Sequence, residues 1–212
     1  MIFRDRVDAG ERLAAALARY RDAPDTVALG IPRGGVVVAR AMAVALHLPL
    51  GICPVRKLGA PGNPELAIGA VDDQGIVVLD RKLSRHMGLS DDDLLDAAAR
   101  QREELQAWLT ALGTLAVPAV DGRTAILTDD GVATGYTAQA GIKSLRRRGA
   151  QRVVLAVPVA PADTAAVLAP LVDEFVCLVT PEPFYAVGNF FKEWPQVTDD
   201  EVRALLLAGN TL

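Results

Sequence analysis

Residues 126–137 read Ile126-Leu127-Thr128-Asp129-Asp130-Gly131-Val132-Ala133-Thr134-Gly135-Tyr136-Thr137. A short apolar run of strand length enters two adjacent acids, a turn of small residues and then a helical pattern. In an open α/β sheet, ligands bind at the carboxyl ends of the strands. A helix N-terminus reached through small residues offers backbone N–H groups and a favourable dipole to an anion. Thr134 and Thr137 add hydroxyl donors. Two carboxylates repel a bare phosphate, so this pair suits a ligand with hydroxyls beside its phosphate, namely a ribose 5-phosphate. The sugar 2′ and 3′ hydroxyls would donate to Asp129 and Asp130 while residues 131–137 hold the phosphate. A lone Asp-Asp pair is more commonly an acidic turn capping a helix; the order of strand, acids, small-residue turn and helix favours the sugar phosphate.

On either side of this stretch, strands and helices alternate. Asp8 and Glu11 have the spacing of a capping box and predict a helix with Leu13, Leu17 and Tyr20 on one face. Residues 26–30 predict a strand, broken by Ile31-Pro32-Arg33-Gly34-Gly35 before a buried helix over 36–48. A strand over 50–55 leads into a loop dense in Gly and Pro over 56–64. Residues 67–71 and 76–80 flank Asp72-Asp73-Gln74-Gly75 as a hairpin. Ser90 caps a long helix with Asp91, Asp92 and Asp93 in its first turn and Leu94, Ala98, Leu105, Trp108 and Leu112 along one face. There follow a strand over 125–128, a helix over 137–147, a strand over 153–157, a short helix from Asp163 to 171 and a strand over 175–179. Thr198 and Glu201 then open a C-terminal helix. The alternation predicts βαβ units, hence an α/β fold with a mainly parallel central sheet flanked by helices, in one domain over 1–212.

Composition bounds the function. The 212 residues are 51% hydrophobic and 23% charged, a globular balance. Aromatics are 5%, so Ala, Val and Leu must supply most of the core. Lys plus Arg total 22 against 26 acids, a net charge of -4, which argues against a nucleic-acid partner. Cys53 and Cys177 have neither metal-ligand spacing nor a disulfide framework, and His47 and His86 lack the spacing of a triad or metal site. Arg146, Arg147 and Arg148 end a helix, where cations complement the dipole. Arg12 and Arg19 interrupt the N-terminal alanines, and no apolar run reaches the ~18 residues of a spanning helix. A cytoplasmic protein without a membrane partner is expected.

The 126–137 segment strongly resembles the ribose-phosphate motif of the type I phosphoribosyltransferases. Further blocks resemble a bacterial subgroup whose substrate is undefined. They are Phe3-Arg4-Asp5-Arg6, Asp8-Ala9-Gly10, Pro32-Arg33-Gly34-Gly35-Val36, Arg56-Lys57-Leu58-Gly59, Pro64-Glu65-Leu66-Ala67-Ile68-Gly69-Ala70-Val71 and Asp129-Asp130-Gly131-Val132-Ala133-Thr134-Gly135. The resemblance runs along nearly the whole chain. It implies transfer of ribose 5-phosphate from phosphoribosyl pyrophosphate to a nitrogenous acceptor, with Mg²⁺ held at Asp129 and Asp130. It also implies a homodimer, a common state in the family. The family includes regulators on the same fold, so a non-catalytic sensor of the donor is the alternative, and a hydrolase with water as acceptor is a third.

The resemblance assigns Arg33, Gly34 and Gly35 to the pyrophosphate loop, where glycines permit close backbone approach and Arg33 supplies a forked charge. It likens Arg56 and Lys57 to a basic flexible loop that closes over the reacting centre. Gly131, Val132, Ala133, Thr134, Gly135, Tyr136 and Thr137 form the phosphate loop. Arg4 and Arg6, in the shared N-terminal block, are suited equally to touching the site and to clamping the N-terminus. Two positions depart from the family pattern: a branched apolar residue is usual where Gly131 stands, and a hydroxyl or acid where Ala133 stands. In oxopurine-salvaging members an Asp there assists proton transfer, which alanine cannot do, so that route is disfavoured. Residues 180–197 are the expected small hood. They hold Phe184, Tyr185, Phe190, Phe191 and Trp194, suited equally to stacking a flat base and to packing the segment down.

Overall fold

The computed structural model describes residues 2–113 and 116–209, apart from the side chains of 64, 65 and 209. The elements in chain order are α1 (Arg6–Ala16), β1 (Thr26–Gly30), α2 (Gly34–Leu46), β2 (Leu50–Ile52), β3 (Val55–Ala60), β4 (Asn63–Asp72), β5 (Val77–Leu79), α3 (Arg81–His86), α4 (Asp91–Leu112), β6 (Thr124–Thr128), α5 (Tyr136–Arg147), β7 (Arg152–Val159), α6 (Ala162–Leu168), β8 (Glu174–Val179) and α7 (Asp199–Gly209).

Five strands form one sheet in the order β2-β1-β6-β7-β8, and every pair in it is parallel. Period-two alternation divides the strands between two cores. Val27, Leu29, Ala125, Leu127, Val153 and Leu155 face one side, where α5 packs through Ala138 and Ile142. Ala28, Ile126, Val154 and Ala156 face the other, against α1, α2 and α7. The chain leaves β1 outward to β2, then returns to β6 and proceeds the opposite way to β7 and β8. Between β1 and β6 the winding therefore reverses, and their ends stand side by side, with Gly30 opposite Thr128. Such a switch point opens a crevice at the strands' carboxyl ends.

A second, antiparallel sheet, β3-β4-β5, is where the structure departs most from the sequence expectation. The expected strand over 50–55 stops at Ile52, and Arg56 and Lys57 lie in strand β3 rather than in a flexible loop. The glycines and prolines that suggested a loop serve a hairpin. Gly62 takes a positive φ of 76° at its turn, and Gly59 sits at a register shift of the kind glycine eases. Val55, Leu58 and Ala60 are buried while Lys57 is exposed, and Leu58 and Ala60 pack with Ile68, Leu94 and Ala98 beneath α4.

The expected capping boxes at Ser90/Asp93 and Thr198/Glu201 form. The first helix instead starts earlier than its expected cap: Asp5 is the N-cap, accepting from the Asp8 N–H at 2.8 Å. The short sixth helix ends at Leu168 in a 3₁₀ turn, with Pro161 rather than Asp163 at its cap. Residues 180–197 fold back over the N-terminus. Ile2 and Phe3 N–H donate to the Phe190 carbonyl, and Lys192 N–H donates to that of Phe3. Phe184, Phe190 and Phe191 pack with Phe3 and Val187, while Tyr185 is 80% exposed.

Candidate functional site

Strand β6 ends at Thr128, so Asp129 and Asp130 project at the switch point, both half-buried. The Asp130 N–H turns back to donate to Asp129 Oδ1 at 2.9 Å. Burial raises the carboxyl pKa of both acids, and the neighbouring Asp130 charge raises Asp129 further, well above the usual range. Arg6 opposes the shift at Asp130, where its Nε donates to Oδ2 at 2.8 Å. The backbone then closes on itself: Val132 N–H donates to the Val159 carbonyl at 2.9 Å, and Thr164 Oγ1 donates to the Ala133 carbonyl at 2.8 Å. Gly135, at φ 79°, is the left-handed residue that turns the chain into α5. Thr134 is exposed.

The β1–α2 turn lies against these acids. A Cβ at Gly34 would stand 1.8 Å from Asp130 Oδ2, and one at Gly35 2.8 Å from the Asp129 Cα, so only glycine lets the turn approach this closely. The Pro32–Arg33 peptide is cis. Gly131 has a comparable reason: a Cβ there would meet Val187 Cγ1 at 2.3 Å. A side chain from the 180–197 segment therefore fills the space that a branched residue at 131 would need.

Two adjoining cavities result. One, of about 380 Å³, gathers Arg33, Arg56, Lys57, Asp129 and Thr137, with Trp108 of α4 in its wall. The other, of about 450 Å³, is lined by Arg6, Arg33, Gly34, Asp129, Asp130 and Trp194, among others. Residues expected from four separate sequence blocks thus share one crevice. Arg56 is tied to Glu104 at 2.8 Å, and Arg33 stands 3.7 Å from Asp199. Tyr136 points elsewhere: its phenol donates to Asp80 Oδ2 at 2.5 Å, and burial with that carboxylate pushes its pKa up to about 12. The contact links the start of α5 to the cap of α3.

The N-terminal block resolves in two directions. Arg6 lines the crevice, whereas Arg4 is exposed and its guanidinium pairs with Asp5 at 2.8 Å. Trp108 carried only a core signal from its helical spacing in the sequence. Its indole N–H is buried with no hydrogen-bond partner among the described residues. Trp194 lies under the Arg6 guanidinium, 3.6 Å from ring centroid to Cζ, so that ring is stacked within the protein. Among the described residues no helix is long and apolar enough to cross a membrane.

Comparison with known proteins identifies relatives of this chain. Two proteins of Mycobacterium tuberculosis, from strains CDC 1551 and H37Rv, each named "Putative phosphoribosyl transferase", are 46% identical over 208 residues. The match covers 97% of this chain and 46% of each relative, so the chain spans about half the length of these relatives. The crystal structure of TT1426 from Thermus thermophilus is similar at 42% identity and a TM-score of 0.79, over 98% of this chain and 99% of that one. Residues 2–179 match the family model of the phosphoribosyl transferase domain. With that match added to a parallel sheet whose switch point holds Asp129, Asp130 and the loop to Thr137, the chain belongs to the phosphoribosyltransferase family.

Proposed function

We propose that this chain catalyses Mg²⁺-dependent transfer of ribose 5-phosphate from phosphoribosyl pyrophosphate to a nitrogenous acceptor, releasing pyrophosphate. The observation that carries the reading is the convergence of Arg33, Arg56, Lys57, Asp129 and Thr137 on one cavity at the switch point. Cations from two separate elements face a helix N-terminus across a pair of acids, which matches a donor with a phosphate at each end and hydroxyls between them. The bond from the anomeric carbon to pyrophosphate breaks as the bond to the acceptor nitrogen forms, through an oxocarbenium-like transition state. Positive charge grows on the sugar and negative charge on the leaving group, so the chain's contribution is mainly electrostatic. Asp129 and Asp130 hold the ribose, residues 131–137 its phosphate, and Arg33, Arg56 and Lys57 the pyrophosphate. Residues 180–197 serve as the hood over the acceptor.

The described residues contain no cluster of three or more His, Cys, Asp or Glu side chains able to hold a metal. Mg²⁺ is commonly bound by one or two carboxylates, with substrate phosphates and water completing the shell, and Asp129 with Asp130 fits that donor set. Bound there, the ion supplies charge neutralisation to the pyrophosphate. Ala133 carries no titratable group, so an acceptor proton leaves without help from that position.

The test is pyrophosphate release from the donor with Mg²⁺, with and without a panel of purine, pyrimidine and pyridine bases. Release that requires one base is expected and names the acceptor class. Base-independent release marks a hydrolase, and binding without release marks a sensor. Asp130→Asn should weaken donor binding sharply with the fold intact; unchanged affinity would sink the ribose assignment.

A further inference from the structure

Arg6 is the first residue of α1, 8% exposed, and its guanidinium is engaged on three sides. Nε donates to Asp130 Oδ2 at 2.8 Å, Nη1 donates to the Pro195 carbonyl at 2.7 Å, and the plane stacks on Trp194. A buried ion pair of this kind contributes little more to stability than an apolar pair of the same shape, because both charges lose water. Its distinctive contribution is direction, since the planar fork fixes its partner's orientation.

Closure of the fold has other means. The 190–193 segment is already fastened to the N-terminus by the backbone bonds from Ile2, Phe3, Lys192 and Glu193 and by the Phe3–Phe191 ring contact at 5.2 Å. What Arg6 specifies that these contacts do not is the place of one carboxylate. A Cβ on Gly34 would fall 1.8 Å from Asp130 Oδ2 and 2.9 Å from Arg6 Nε, so the carboxylate is confined between the turn and the guanidinium. The two acids are thereby made unequal. Asp130 commits one oxygen to Arg6, whereas Asp129 makes no ion pair among the described residues.

We propose that Arg6 is a positioning residue for the sugar half of the site, fixing Asp130 in the orientation that receives the ribose hydroxyls. The inference rests on the phosphoribosyl reading above. It predicts a split between the two halves of the donor. Ribose 5-phosphate needs Asp130 in place, whereas pyrophosphate is held by the β1–α2 turn and the basic strand.

The experiment measures calorimetric affinity for ribose 5-phosphate and, separately, for pyrophosphate, both without Mg²⁺ so that the metal held at Asp129 and Asp130 does not enter the comparison, in wild type, Arg6→Met and Arg6→Lys. In Arg6→Met, ribose 5-phosphate affinity should fall tenfold or more while pyrophosphate affinity stays within twofold. Arg6→Lys, which keeps the charge but not the fork, should recover part of the loss. If Arg6→Met does not fold, Arg6→Lys alone carries the comparison, with a threefold or larger loss expected for ribose 5-phosphate only. Equal losses for both ligands, or ribose 5-phosphate affinity unchanged in folded protein, overturn the positioning role and leave the family reading standing. A wild-type protein that does not bind ribose 5-phosphate overturns the phosphoribosyl reading, and this inference with it.

Discussion

Replacing Gly34 by alanine adds one methyl group at the most crowded point of the site. The new Cβ would stand 1.8 Å from Asp130 Oδ2 and 2.5 Å from its Cγ, whereas non-bonded heavy atoms settle near about 3.5 Å. The carboxylate must therefore withdraw by more than about 1.5 Å. Arg6 cannot simply follow, because Pro195 and Trp194 hold it from other sides, so the 2.8 Å pair is lost. Breaking a buried pair costs about 3–5 kcal/mol. With side-chain exposures of 9% and 17%, the lower end, about 3 kcal/mol, applies. Alanine offsets at most about 1 kcal/mol of this, the helix-interior difference from glycine, because Gly34 is only the first residue of α2. The balance is a loss of at least about 2 kcal/mol, which at a slope of about 2 kcal/mol per molar urea lowers the unfolding midpoint by at least about 1 M. Urea unfolding of Gly34→Ala in the ligand-free protein measures this directly. A variant as stable as wild type would refute the reasoning. So would an equal cost in an Arg6→Met background, where the pair is already gone and the penalty should shrink.

Other perturbations read neighbouring parts of the site. Asp129 has its carboxyl pKa raised by burial, so the folded state holds its proton to higher pH than the unfolded state, and stability falls as pH rises from the unfolded value through the folded one. Asp129→Asn should therefore be more stable than wild type above that window, with the advantage vanishing below the unfolded pKa; thermal melts across pH that show no such divergence contradict the assignment. Replacing Arg56 and Lys57 together by alanine should slow turnover more than it weakens ribose 5-phosphate binding, since both line the cavity assigned to pyrophosphate; parallel losses in steady-state and binding assays count against that division. Gly131→Ala should cost roughly 1–3 kcal/mol by overpacking against Val187, and Val187→Ala in the same chain should remove part of that cost, the φ of 159° and the nearby Val159 Cγ1 keeping the rest, a coupling that a double-mutant cycle in urea either finds or does not.

The parts of this protein legible in the sequence are those whose determinants are contiguous. The run from Ile126 to Thr137 contains its strand, its acids, its turn and its helix start within twelve consecutive positions, so its ordering points to a ligand before any packing is known. The Ser90/Asp93 and Thr198/Glu201 caps are local hydrogen-bond exchanges over three residues, and the strand–helix alternation dictates a parallel sheet through connection handedness. Tertiary structure alone decided the rest. Arg56 and Lys57 sit in a segment whose glycines and prolines suggest a loop, and only pairing with β4 makes it a strand. Gly131 is a departure from the family pattern until Val187, far along the chain, is seen to fill its space. Arg6 and Asp130 are 124 residues apart, and no local signal distinguishes an arginine that will be buried on a carboxylate from one that stays in water. Local hydrogen bonding and periodicity are properties of neighbours in sequence, whereas burial, charge pairing and steric exclusion belong to whichever atoms the completed fold brings together.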